Sequence, residues 1–377
     1  MLSRSTLAAA AAGALVTSSA ALAQPFQIVG TIAPPFSIPE SQWKNALRFS
    51  LTGSGSAATP ISSIPNGQVH DPVGVAFRTP TDLFIGNRHG NSGQTTVSRF
   101  KLTNGGADAT FVNEFSQPGM VGIHEIAFNP VTHELFCATL DNGIWRFTFD
   151  SLGQPVAHGS FALGRPWRGL CIEPTGNYLY ASQATNQIIR FRINPDQSMT
   201  ELTPYFVPGG NQIHFFSQGP SQTQIYACDI FGNAVFRLNV APDGGLSLYQ
   251  TIPCVNAIDC TFSPAGNEMY VARHISGNID RFTYNSGADT WTFTNSIATD
   301  SMGCVAAYVP AACPADLTGE GFVDDSDFVI FVQAYNILDC EDASMPLGCP
   351  ADFNLDGLVD DSDFVIFVAA YDALVCS

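Results

Sequence analysis

Six times this chain ends a stretch of sequence on one kind of phrase: "RFSLTGSG", "RFKLTNGG", "RFTFDSLG", "RFRINPDQ", "FRLNVAPDGG" and "RFTYNSGAD". The phenylalanines of these phrases are Phe49, Phe100, Phe147, Phe191, Phe236 and Phe282, spaced by 51, 47, 44, 45 and 46 residues. A second phrase precedes most of them, as in "GVAFRTPTDLFIG" (74–86), "EIAFNPVTHELFCA" (125–138), "GLCIEPTGNYLYA" (169–181) and "IDCTFSPAGNEMYVA" (258–272). The segment "HFFSQGPSQTQIYAC" (214–228) fits with adjustment. Short β-branched and aromatic runs parted by Pro, Gly, Asn and Asp turns read as antiparallel strands. A unit of ~45 residues holds four such strands, and a unit of that size must stack on its neighbours to bury its faces.

These phrases resemble the lactonase and NHL-like class of β-propellers, where "sPdG...lYva" segments mark the first two strands of a blade. The resemblance covers residues 26–309 and implies a mainly β fold. Six repeats predict a six-bladed β-propeller over 24–310. The strand near Arg48–Thr52 lacks an inner partner before it, and "GCVAAYVP" (303–310) lacks an outer one after it. Joining them removes the exposed edges of the ring. A seven-bladed propeller is the alternative, with a further strand pair inside 24–47.

Propeller ligands sit where the innermost strands are entered and where second strands pass to third. Those windows hold His70, Asp71, His124, Glu125, Arg168, His214 and Asp259, and then Asn87, Arg88, His89, Asp141, Asp229, Arg273 and His274. Five of the seven histidines fall there. Such groups could bind a metal or do acid–base work on a lactone or sugar. The bland alternative is that polar residues populate strand ends in any case. Neither an HExxH nor a GxSxG signature occurs. The expectation is therefore a binding or scaffold propeller, with a lactonase or other hydrolase as the alternative. If three or more of His70, His124, Glu125, Arg168, His214, Asp259 and His274 converge within metal-ligand reach, the enzyme reading gains; scatter would count against it.

Charge separates a second module. Residues 313–377 carry 14 Asp and Glu and no Lys or Arg, so 14 of the 18 net negative charges lie there. Clustered cations for nucleic acid are absent from that balance. Within the tail, "VDDSDFVIFV" occurs at 323–332 and again at 359–368. Written from its first acidic residue, each copy reads as a twelve-residue loop, "DLTGEGFVDDSD" (316–327) and "DFNLDGLVDDSD" (352–363). Oxygen side chains at positions 1, 3, 5, 9 and 12 with glycine at 6, Gly321 and Gly357, follow the spacing of a Ca²⁺ loop. Asp in place of Glu at position 12 departs from the EF-hand pattern.

Two such loops in tandem, each running into an apolar helix, resemble a type I dockerin over 313–376. The resemblance implies a small all-α domain over 311–377 that binds two Ca²⁺ ions. The first site would use Asp316, Thr318, Glu320, the Phe322 carbonyl, Asp324 through water and Asp327. The second would use Asp352, Asn354, Asp356, the Leu358 carbonyl, Asp360 and Asp363. Thr318 and Glu320 depart from the usual Asn and Asp, which predicts a weaker first site. Positions 10 and 11, Asp325 and Ser326 with Asp361 and Ser362, would meet a cohesin-like partner in either of two orientations. Clostridial dockerins usually carry Ser-Thr there, so Asp-Ser argues against a clostridial partner. Pairing Cys313 with Cys340 would have to span a helix about 16 Å long, against about 4.4–6.8 Å between bridged Cα atoms. Cys313–Cys376 and Cys340–Cys349 are favoured, clasping the termini as dockerins tend to do. Cys254 and Cys260 are close enough in sequence to pair, or to remain buried thiols.

Export is expected as well. Arg4, an alanine-rich run from Leu7 to Val16 and "ALA" at 21–23 read as a signal peptide over 1–23. Ten cysteines suit an oxidising compartment. The whole reading is a secreted, calcium-binding protein whose tail docks the propeller onto an extracellular or cell-surface partner, in polysaccharide-associated assemblies among others.

Overall fold

The computed structural model describes residues 26–32, 46–51, 58–63, 69, 71–79, 82–88, 94–103, 108–150, 152–221, 223–263, 266–275, 277–298, 302–308, 315, 317, 323, 325–340, 342, 344–345, 349, 351–353 and 357–373. The chain begins with β1 (Phe26–Ile32), β2 (Ala46–Leu51) and β3 (Ala58–Ser63). Next come β4 (Pro72–Thr79), β5 (Asp82–Asn87), β6 (Thr96–Thr103) and β7 (Asp108–Phe115). Then follow β8 (Ile123–Phe128), β9 (Leu135–Thr139), β10 (Gly143–Phe149) and β11 (Pro155–Phe161). A further set is β12 (Leu170–Ile172), β13 (Tyr178–Ser182), β14 (Gln187–Ile193) and β15 (Met199–Phe206). After it run β16 (Ile213–Gln218), β17 (Gln224–Asp229), β18 (Ala234–Val240) and β19 (Leu246–Pro253). The strands end with β20 (Ala257–Phe262), β21 (Glu268–Arg273), β22 (Asn278–Asn285), β23 (Thr290–Ala298) and β24 (Met302–Tyr308). Two helices follow, α1 (Asp325–Tyr335) and α2 (Asp361–Ala373).

The described strands form six four-stranded sheets, five of them from consecutive strands. The sixth has the order β24-β1-β2-β3 and joins the two ends of the domain. The fold is a propeller: the first strands of the sheets, β4, β8, β12, β16, β20 and β24, pack on one another in a closed cycle. The expected closure differs in one strand. Phe26–Ile32 lies between the two segments expected to meet, pairing with β24 on one side and with β2 on the other. Ile28 and Val29 are fully buried there, so the apolar residues of β1 complete this sheet.

The closing phrase has a structural cause. Phe100, Phe147, Phe191, Phe236 and Phe282 sit on the third strand of their sheets and are at most 2% exposed. Each fully buried Phe contributes about 1.5–3 kcal/mol. In three phrases the Arg before it meets an acidic residue on or just before the second strand: Arg99 with Asp82 at 2.6 Å, Arg146 with Glu134 at 2.6 Å, and Arg281 with Glu268. Beside this Arg-Phe step the pairing to the outer strand slips, as at Arg48/Phe49, Arg99/Phe100 and Arg281/Phe282. A bulge there increases strand twist, which suits strands wrapping outward from the axis.

Near the axis the backbones crowd. A Cβ on Gly169 would lie 2.0 Å from the His214 carbonyl oxygen, and one on Gly74 would lie 2.7 Å from the Ile126 nitrogen. Glycine lets adjacent first strands touch at these points.

In the tail, Phe331, Ala334 and Phe367 are buried between the helices with Val323 and Val359. Phe331 and Phe367 stack at 4.9 Å. The two copies are tied reciprocally. Tyr335 Oη donates to Asp361 Oδ1, and Tyr371 Oη donates to Asp325 Oδ1 at 2.5 Å. The expected Cys340–Cys349 disulfide is present, with Cα atoms 5.4 Å apart. Cys313, Cys376 and residues 1–23 lie outside the described residues. Cys137, Cys171, Cys228, Cys254, Cys260 and Cys304 are free and buried, so Cys254 and Cys260 do not pair. No helix among the described residues is long and apolar enough to cross a membrane.

Candidate functional site

Two groups of the expected residues converge at the entrance to the central channel, and the strand starts explain how. In β8 the pairing to β9 slips between Ile123 and Glu125, and in β20 the pairing to β21 slips between Ala257 and Asp259. These bulges place His124, Glu125 and Asp259 within the strands, at their first turns around the axis, rather than in the loops before them.

The outer group is His124, Arg168 and His214. Arg168 Nη1 lies 3.0 Å from His124 Nε2. Arginine can only donate, so Nε2 accepts and the proton of the neutral imidazole resides on Nδ1. That Nδ1 is buried without a hydrogen-bond partner. The His124 ring stacks on Phe215 at 5.0 Å, and its centroid is 6.2 Å from that of His214. Burial, then the charges of Arg168 and Arg88, hold His124 well below the usual histidine range. Burial likewise takes His214 down to about 4, although Gln212 O accepts from its Nδ1. Both rings are therefore neutral near pH 7. Arg168 is itself lowered by burial and by Arg88.

Directly beneath lies an acidic group. Ligand atoms of Glu125, Asp259 and Cys304 all lie within 4.8 Å of one another, and all three residues are buried. Glu125 Oε1 accepts from Ile126 N at 2.9 Å, and Asp259 accepts from Cys260 N at 2.8 Å and Val305 N at 2.9 Å. Burial raises both carboxyls, Asp259 to about 7, and the Asp259 charge raises Glu125 further. Each therefore keeps its proton to higher pH than an ordinary carboxyl. Burial also keeps the Cys304 thiol protonated. Glu125 and Asp259 line an open cavity of about 440 Å³ together with residues such as Phe77, Phe128, Phe216 and Val305.

Other expected residues have structural duties. Asp229 accepts from the backbone N–H groups of Asn211, Gln212 and Gly232 and orders that turn. Asn87 donates to Thr96 and Ser98. Arg273 donates to Val255 O and pairs with Asp280 at 3.6 Å. Arg88 faces Asp71 at 3.9 Å, His274 is buried, and Asp141 is exposed. His70 and His89 lie outside the described residues. Among the described residues, no three of the seven candidates for a metal gather in one ligand group; Glu125 and Asp259 do fall in one, with Cys304 as the third. Cys304 and Phe215 were not singled out in the sequence, where each looks like an ordinary strand residue.

In the tail, several residues of the second acidic loop are described. Gly357 at position 6 has φ +90, in the left-handed region. Asp352 Oδ2 at position 1 accepts from Gly357 N at 2.9 Å. Asp363 at position 12 is fully buried and accepts from Phe353 N at 2.7 Å and Asp360 N at 3.0 Å. Leu358 bridges to Asp339. Asn354 and Asp356 lie outside the described residues, as do Asp316, Thr318, Glu320, Phe322 and Asp324, while Asp327 is fully buried. Cys340, Cys349 and Asp352 also cluster, but the two sulfurs are committed to the disulfide.

No family model matches the chain, and no curated protein matches it. Solved structures do resemble it. A proposed 6-phosphogluconolactonase from Bacteroides fragilis superposes with a TM-score of 0.56 at 14% identity, over 75% of this chain and 98% of that one. The periplasmic gluconolactonase of Pseudomonas aeruginosa gives 0.54 at 14%, over 76% and 99%. A chain of a nidogen–laminin complex gives 0.53 at 12%, over 76% and 98%. At such identities the likeness establishes the propeller fold and nothing finer.

Proposed function

We propose that this chain is an exported propeller carried by a calcium-dependent docking module, with the six sheets forming one six-bladed ring and residues 311–377 forming a dockerin-like domain. The observation that carries this reading is the second acidic loop. Its glycine turn, its position 1 acceptor and its buried position 12 carboxylate are those a twelve-residue Ca²⁺ loop requires. Asp352, Asn354, Asp356, the Leu358 carbonyl, Asp360 and Asp363 would hold one ion. Asp316, Thr318, Glu320, the Phe322 carbonyl, Asp324 and Asp327 would hold the other. A bound cation would offset the repulsion among these carboxylates and add its binding free energy to folding.

The docking face would be the outer side of the two helices. Phe328, Val329, Phe364, Val365 and Ile366 are 39–68% exposed there, a duplicated apolar patch next to Ser326 and Ser362. Asp325 and Asp361 are engaged with the tyrosines of the opposite helix, so they would shape this face as much as contact a cohesin-like partner. The partner would be extracellular or on a cell surface, with polysaccharide-associated assemblies the first place to look.

Calorimetric titration of the full chain with Ca²⁺ tests the reading. Two binding events are expected, one of them lost in Asp363→Asn. No heat of binding, and thermal unfolding unchanged by chelator, would remove it. A hydrolase delivered by the same tail is the second reading. It is supported by two neutral imidazoles standing over a carboxyl pair that holds a proton near pH 7. Lactone turnover abolished by His124→Asn would support it, and the absence of turnover in the parent chain would end it.

A further inference from the structure

We infer that the channel mouth binds an oxyanion, seated against the Arg168 guanidinium and the Nδ1–H of His124. This inference is independent of the docking reading, since it concerns only propeller residues. Three observations carry it. First, the buried Nδ1–H of His124 is a donor without an acceptor, and a buried orphan donor is costly unless something supplies the acceptor. Second, positive groups face one another here: Arg168 lies against His124, and Arg88 bears on both. A bound anion would satisfy them together. Third, the carboxylates close by do not supply that anion. Asp71 faces Arg88 at 3.9 Å, and Asp229 is occupied by three backbone donors. Burial raises Glu125 and Asp259 toward their neutral forms. His274 bears on His214, and Arg273 is turned to Asp280.

A metal ion is the poorer occupant, because the free nitrogen of His124 carries the proton and its other nitrogen is taken by Arg168. Arg168 retains planar donors for a two-oxygen contact, which carboxylate and phosphate both offer. The Phe215 ring under His124 fixes the imidazole plane, so the donor is held in place before the ligand arrives.

The test titrates the full chain at constant ionic strength with inorganic phosphate, with galacturonate, and with uncharged galactose. The imidazole ¹⁵N resonances of His124 and His214 are followed, with and without a calcium chelator. A saturable shift of the His124 Nδ1 resonance with at least one anion, and none with galactose, is expected. Response to galacturonate alone assigns a carboxylate, and response to phosphate alone assigns a phosphate. The dissociation constant should rise about tenfold in Arg168→Met and stay unchanged in Arg165→Met, whose partner is the surface residue Glu201. His124→Phe keeps the stack and removes the donor, so its weakened binding, followed through His214, tests the same seat if Arg168→Met fails to fold. No saturable shift with either anion would overturn the inference, as would equal binding of galactose or unaltered affinity in these two variants. Survival of binding under chelator, whatever calcium does to the tail, keeps the two readings separable.

Discussion

The propeller and the tail solve the stability problem in opposite ways. The propeller buries the Phe of five closing phrases, sets third-strand arginines against acids on or beside the second strands, and raises its axial Glu125 and Asp259 carboxyls by burial. The tail spends its sequence on carboxylates and leaves several apolar helix residues exposed, Val365 being 68% exposed. One region rests on extended buried clusters, whereas the other has acidic loops beside a small core. The difference teaches that repetition alone does not define a fold: each copy must bury its face on a neighbour, on its duplicate or around an ion.

Four experiments break or sharpen that contrast. The largest effect is expected from Phe236→Ala, which should destabilise the propeller by about 3–5 kcal/mol, measured by denaturant unfolding. The loss should be the same with calcium or chelator, and a calcium-dependent loss would dissolve the distinction. Next is calcium itself. At a hundredfold excess over its dissociation constant, one ion should stabilise the tail by about 2.7 kcal/mol, read as a shift in the helix melt that Asp363→Asn halves or removes.

Acidity should then act with opposite sign on the two parts. The Asp259 carboxyl has its folded value raised to about 7 from 3.8. The folded state therefore binds the extra proton, and this stabilisation is complete below about pH 4 and declines as pH rises through 7. Each unit of the difference is worth about 1.4 kcal/mol. Propeller stability measured from pH 4 to 8 should fall along that window, and Asp259→Asn should flatten the slope. Calcium affinity of the tail should move the other way, weakening as its ligands protonate in acid. The smallest effect is that of Tyr371→Phe, which removes one of the reciprocal bonds to an exposed carboxylate. A loss of about 0.5–1.5 kcal/mol in the tail and none in the propeller is expected from the two melting transitions.

Much of this is legible in the sequence because it is periodic. The Arg-Phe phrase locates every third strand, and the acid-glycine spacing locates the loop in which Gly357 takes a left-handed φ. Cys340–Cys349 is legible because a helix stands between the alternatives. What escapes is non-periodic. "FQIVGTI" belongs to no repeat unit, so nothing local marks β1 as the strand that completes the last sheet. Cys304 and Phe215 give no signal either, for a thiol and a ring in a strand are ordinary until another strand brings Glu125 or His124 to them.

The sequence by itself determined the repeating unit, the separate acidic tail and the positions where oxygen ligands alternate, because strand period, turn chemistry and loop spacing are local properties. Tertiary structure alone decided which polar residues meet. His124 and His214 come from two sheets and Arg168 from the segment entering a third, while Glu125, Asp259 and Cys304 come from three sheets. Their protonation follows from being gathered at one axis away from water. No local pattern encodes that proximity, since it exists only once the ring of first strands has closed.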